Sequence, residues 1–171
     1  MRPFLDRLFT WAGWLAGLFM IATLLAVLAS IFGRLLAIRV PGADAYAGYC
    51  MAASAFLALA HTLRRGEHIR VTLILSHLGP RANRALEVFC HGAALLLAGA
   101  LAWFSVRLAW QSWAFHDIST GLDATPLWIP QLGMAVGTLL FFLAFAQDLF
   151  DLLRGKTLRA QHEGGEPAHI E

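Results

Sequence analysis

The chain has 171 residues, of which 58% are hydrophobic and only 14% charged, with a net charge of +2. Soluble proteins carry roughly 25% charged residues, so an ordinary soluble domain is excluded. A balance so near neutral also argues against nucleic acid as a partner, and the basic residues are better explained by membrane topology.

The first apolar block runs from Leu8 to Gly33, about 26 residues without a charge, where roughly 20 cross a bilayer as a helix. Arg2 and Arg7 precede it, and Val27-Leu28-Ala29 resembles a signal cleavage site. A cleaved signal has an apolar core of only about 7–15 residues, so the block reads as an uncleaved first span over 8–33. Pro41-Gly42 then marks a turn in a short loop from Arg34 to Asp44. The second span is expected over 45–63.

Charge concentrates next, in RRGEHIRVTLI from Arg64 to Ile74. On a helix over about 67–78, Val71, Ile74, Leu75 and Leu78 form one apolar stripe, and Gly79-Pro80 ends it. Such a helix lies flat in the interface, with its stripe on acyl chains and Arg64, Arg65 and Arg70 against lipid phosphates. It reads as a horizontal brace between spans two and three; the plainer alternative is a basic loop that only sets topology. The third span is expected over 86–112.

A polar segment, HDISTGLDATP, follows from His116 to Pro126. Pro126 suits the first turn of a fourth helix with Thr125 as N-cap, giving a span over 126–150. Residues 154–171 form a polar tail expected to be disordered. The fold class is therefore an all-α polytopic membrane protein with four transmembrane helices and a short interfacial amphipathic helix between the second and third. Continuous apolar runs exclude the alternating pattern of a barrel.

Orientation follows from the basic residues, which favour the cytoplasmic side. With the N-terminus inside, Arg2, Arg7, Arg64, Arg65, Arg70, Arg81, Arg84, Arg154, Lys156 and Arg159 are cytoplasmic, against Arg34, Arg39 and Arg107 outside. Both termini are then cytoplasmic. Trp11 and Trp14 mark the inner end of the first span, and Trp103, Trp110, Trp113 and Trp128 gather outside, as aromatic belts do.

Two stretches carry a family resemblance. In RRGEHIRVTLI, Gly66, His68, Ile69 and Val71 resemble the loop signature of the small, DctQ-like membrane subunit of tripartite ATP-independent periplasmic (TRAP) transporters. ATPLWIPQLGMAVG, from Ala124 to Gly137, resembles the start of that family's fourth span. Thr72 departs from the acidic residue common there, and Pro130 stands in place of a later proline. The resemblance implies a subunit of the bacterial inner membrane that joins a large multispan permease, which holds the substrate and sodium sites. A periplasmic binding protein delivers an organic acid, such as a C4-dicarboxylate or a sugar acid. The small subunit enlarges the fixed scaffold of an elevator-type transporter. It implies no cofactor and no enzymatic activity for this chain.

The residues support a scaffold independently. Intramembrane charges are costly and usually functional, yet the middle of every expected span lacks acids and bases. Small residues stand instead at helix-packing spacing: Gly13 and Gly17, Gly48 and Ala52, Gly133 and Gly137. Internal packing is the first reading of these pairs, and contact with a partner the second. Arg107 lies about a turn inside the outer end of the third span, where it snorkels to headgroups or pairs with Asp117, Asp123 or a partner's acid. Arg107, Asp117, Asp123, Pro126, Trp128, Gly133 and Gly137 are thus the candidates for a partner interface.

The rival from another class is a four-helix b-type cytochrome with His61 and His91 as haem ligands, since both stand near the inner ends of neighbouring spans. No phosphate-binding loop, zinc spacing or nucleophile–base pair is evident. Cys50 and Cys90 are expected at opposite depths, too far apart to pair.

Overall fold

A computed structural model describes residues 2–38, 41–64, 80–121 and 124–154. Four helices account for most of them: α1 (Arg2–Leu35), α2 (Ala43–Arg64), α3 (Pro80–Ala114) and α4 (Trp128–Leu153). Each is long and apolar enough to cross a membrane. At about 1.5 Å per residue, α2 with 22 residues spans ~33 Å, close to the hydrocarbon thickness. The 34 residues of α1 and 35 of α3 reach ~50 Å, so their ends stand in the headgroup layers or beyond.

The helices are arrayed in the order α1, α2, α4, α3, with α2 touching α1 and α4, and α4 touching α3. Their directions follow from who meets whom. Phe9 lies by His61, Ala16 by Ser54 and Ser30 by Asp44, so α1 and α2 are antiparallel. Gly133 faces Ala53 and Gly137 faces Phe56, so α2 and α4 run parallel. Gly99 faces Phe142 while His91 faces Phe145, making α3 and α4 antiparallel. The loops 36–42 and 115–127 therefore emerge at one end of the bundle, called the loop end below.

Nearly everything buried is small. Ala98, Ala102, Ser105, Ala109 and Ser112 form the buried stripe of α3, spaced four, three, four and three residues apart. That is a heptad seam, made here from side chains short enough for two backbones to approach closely. Phe9, Ala12 and Ala16 of α1 meet Leu57 and Ala60 of α2 and Leu140 and Ala144 of α4 in one cluster. Large apolar side chains point outward instead, Leu24, Leu25, Leu96 and Phe104 among them. Lipid is as apolar as leucine, so burying large groups gains little here, and dispersion between close backbones holds the helices together.

Buried hydroxyls are satisfied without disturbing the seams. Ser105 donates to the Leu101 carbonyl at 2.7 Å, and Thr138, fully buried, donates within its own helix to Met134 at 2.9 Å. Ser54 reaches across, donating to the Ala16 carbonyl of α1 at 2.8 Å.

Candidate functional site

Among the described residues, hydrogen bonds between side chains gather at the loop end. Arg34, in the last turn of α1, pairs with Asp44 in the first turn of α2 at 3.0 Å, and Ser30 donates to the same carboxylate at 2.7 Å. This clasp fixes how α1 hands over to α2. In the sequence Arg34 reads only as a topology signal, and the cue to its pairing is the aspartate in α2's first turn.

The second loop closes on itself and then onto α2. Ile118 and Pro126 form an antiparallel bridge, and the Ser119 amide donates to the Thr125 carbonyl at 2.8 Å. Tyr49 donates to the Ser119 hydroxyl at 3.0 Å, and Thr125 donates to Tyr46 at 3.2 Å. The two tyrosine rings stand edge to face, 6.1 Å apart. Thr125 is thereby engaged by α2 and does not cap α4. That helix starts at Trp128 with Leu127 in the capping position and no side-chain cap, so Pro126 lies in the bridge rather than in the first turn. Pro130 takes the first-turn place, where a missing N–H costs nothing.

The other candidates separate. Gly133 and Gly137 are not on an outer face but inside, against α2. A Cβ on Gly137 would stand 2.5 Å from the Phe56 carbonyl carbon and oxygen, and one on Gly133 2.9 Å from the Ala53 Cβ. Contacts of that closeness, to backbone at Gly137 and to a methyl group at Gly133, explain both glycines as internal packing. Gly13 also packs inside, beneath His61, whose Nδ1 would be 2.7 Å from an added Cβ. Gly17 and Gly48 have nothing within 4 Å of an added Cβ; the seams use Ala12 and Ala16 in α1, and Ala43 and Ala47 in α2, instead. Trp128 is half-buried, and Pro126 and Asp117 are exposed. Arg107 is exposed on α3 and pairs with no carboxylate among the described residues, so its pairing with Asp117 is not seen. Arg65, Gly66, His68, Arg70 and Val71, the helix expected at 67–78, Asp123 and the tail from 155 lie outside the described residues. Of Arg64 only the backbone, at the end of α2, is described.

The haem alternative receives no support. His61 lies in the α1–α2 seam, its ring seated on Gly13 and its Nδ1 3.2 Å from the Phe9 carbonyl, to which it donates as the Nδ1–H tautomer. His91 turns to its own helix, Nδ1 2.9 Å from the Glu87 carbonyl, with its ring edge on Phe145 of α4. The two imidazoles serve different seams. A haem needs both to face one cavity with room for the macrocycle. Cys50 and Cys90 are both free thiols. Gln131 and Gln147 of α4 each hold a buried Oε1 with no donor among the described residues, which nothing in the structure explains.

Four apolar helices, sealed by small residues, with charge only towards their ends, define a polytopic α-helical membrane protein. The sequence matches over residues 23–155 the family described as tripartite ATP-independent periplasmic transporters, DctQ component. That stretch takes in the C-terminal part of α1, from residue 23, and all of α2, α3 and α4, and the chain belongs to this family of transporter components. A search of curated proteins finds no match.

Proposed function

We propose that this chain is the non-catalytic, non-transporting small subunit of a sodium-coupled TRAP transporter for organic acids. It widens the static scaffold against which a large multispan permease moves its transport domain. A periplasmic binding protein supplies the substrate, and the complex sits in the bacterial inner membrane with both termini of this chain in the cytoplasm. Family membership supports the assembly, and the excess of arginines at the terminal end of the helices supports the orientation.

The observation that carries the scaffold reading is the pairing of closed seams with charge-free span interiors. A pathway for an acid or for sodium needs polar groups lining a wet cavity at membrane depth. Here the α2–α4 contact is tight to the backbone at Gly137. The buried hydroxyls of Ser105 and Thr138 are consumed by carbonyls of their own helices. Substrate and ion sites then belong to the large partner, and this chain contributes area and position.

The test is reconstitution of the three components in liposomes with an imposed sodium gradient. Uptake of an organic acid is expected only when this chain, the large subunit and the binding protein are all present. Full-rate uptake without this chain would overturn the reading.

A further inference from the structure

The stripe that α3 buries against α4 starts at Ala98 and returns at Ala102, Ser105, Ala109 and Ser112. Arg107 is nine residues on from Ala98, and at 3.6 residues per turn it lies about 180° from that seam. It therefore occupies the middle of the outward face, among Trp103 and Phe104 below and Trp110 and Gln111 above, all exposed. The other described arginine at the loop end, Arg34, is neutralised by Asp44 at 3.0 Å. Arg107 has no such partner among the described residues. An arginine on a membrane-facing surface is costly without an anion, and no described carboxylate supplies one.

Depth decides which anion. Between Glu87 and Arg107, α3 carries an uncharged run from Val88 to Val106. Those 19 or so residues rise ~28 Å, nearly the ~30 Å of a hydrocarbon core. With Glu87 at one boundary, Arg107 stands at the other. The helix continues for about two more turns to Ala114, through a layer marked by Trp110 and Trp113, whose rings lie 5.3 Å apart. Tryptophans of this kind sit at headgroup level. The cation is thus at the depth of lipid phosphates, not at the mid-membrane depth where only a protein carboxylate could meet it. Gln111 stands one turn further on, at i+4, where side chains of a helix are neighbours on one face. Two donors then face one phosphate.

We propose that Arg107 and Gln111 form a site for the phosphodiester of an anionic phospholipid in the leaflet at the loop end, walled by Trp103 and Trp110. With no carboxylate paired to Arg107 among the described residues, the site carries a net positive charge, which favours a headgroup of net negative charge over a zwitterionic one. The inference stands independently of the transport role.

The full-length chain in mild detergent, titrated with phosphatidylglycerol or phosphatidylcholine and read by native mass spectrometry, tests it. Wild type is expected to retain phosphatidylglycerol in preference. Arg107→Gln is expected to weaken that binding about fivefold, the factor of one basic group at an anionic surface. Arg34→Gln, which removes a cation already paired, should leave it unchanged. Should Arg107→Gln unfold, Arg107→Lys is the reading, with binding within about twofold of wild type because a point charge still serves a phosphate. Undiminished phosphatidylglycerol binding by Arg107→Gln, or equal affinity for phosphatidylcholine, would overturn the site. So would release of a protein partner by Arg107→Gln with the bound lipid unchanged.

Discussion

The inner helices and the flanking helices use similar apolar material in opposite ways. Over their most apolar stretch α2 and α4 bury 33% and 28% of residues, whereas α1 and α3 bury 11% each. The inner pair meets through Ala53, Gly133 and Gly137, where a Cβ added to either glycine would stand under 3.0 Å from the other helix. The flanks instead carry Trp11, Trp14, Leu18, Leu96, Trp103 and Trp110 outward. In water this would be a protein turned inside out. In lipid, the outward leucines and tryptophans are already solvated, and only close approach distinguishes a helix neighbour from an acyl chain. The difference teaches that the inner pair is fixed by shape, while the flanks present broad apolar surfaces outward.

Substitutions can break or sharpen that contrast. The largest effect is expected at Gly137, where even one methyl group meets the Phe56 backbone at 2.5 Å and backbone does not yield cheaply. Gly137→Ala should destabilise the folded chain in bicelles by about 1–3 kcal/mol, measured by steric trapping. A neutral result would mean that the inner pair is not tight.

Gly13→Ala should cost less, about 1 kcal/mol, because its neighbour is the His61 ring, a side chain that can swing aside. The loss should largely disappear in the Gly13→Ala, His61→Ala double variant compared with His61→Ala alone, since contacting residues are not additive. Additive losses in that cycle would place the clash elsewhere.

Ser54→Ala removes the hydrogen bond from α2 to the Ala16 carbonyl. Interhelical bonds in membranes average about 0.6 kcal/mol, so the same unfolding assay should register a loss near that size. A loss several times larger would make polar bonding, rather than close approach, the main tie between α1 and α2.

Gly17→Leu should change the stability of the isolated chain least, within about 0.5 kcal/mol, as nothing lies within 4 Å of an added Cβ. A marked destabilisation would show that the outward face of α1 is occupied within this chain.

The sequence made the spans legible because lipid exposure leaves hydrophobic residues on every face, and runs such as Val88–Val106 stand out by length alone. That same uniformity hid the seams. Where all sides of a helix are apolar, periodicity cannot point to the buried one, and glycine spacing was the remaining guide. It led to Gly133 and Gly137, which do pack inside, but also to Gly17 and Gly48, which stand open. The working stripes are alanine and serine, residues too common in this chain to be noticed one by one. The loop-end contacts were harder still. Tyr46 with Thr125 and Tyr49 with Ser119 join positions some 70 to 79 residues apart, and nothing local announces such a pairing.

Solute flux through liposomes that contain this chain alone tests the scaffold most directly. With the seams shut and no charged group in the middle of a span, organic-acid and sodium uptake should equal that of empty liposomes, and should rise only when the large subunit and the binding protein are added. Saturable, sodium-dependent uptake by the chain on its own would contradict the account.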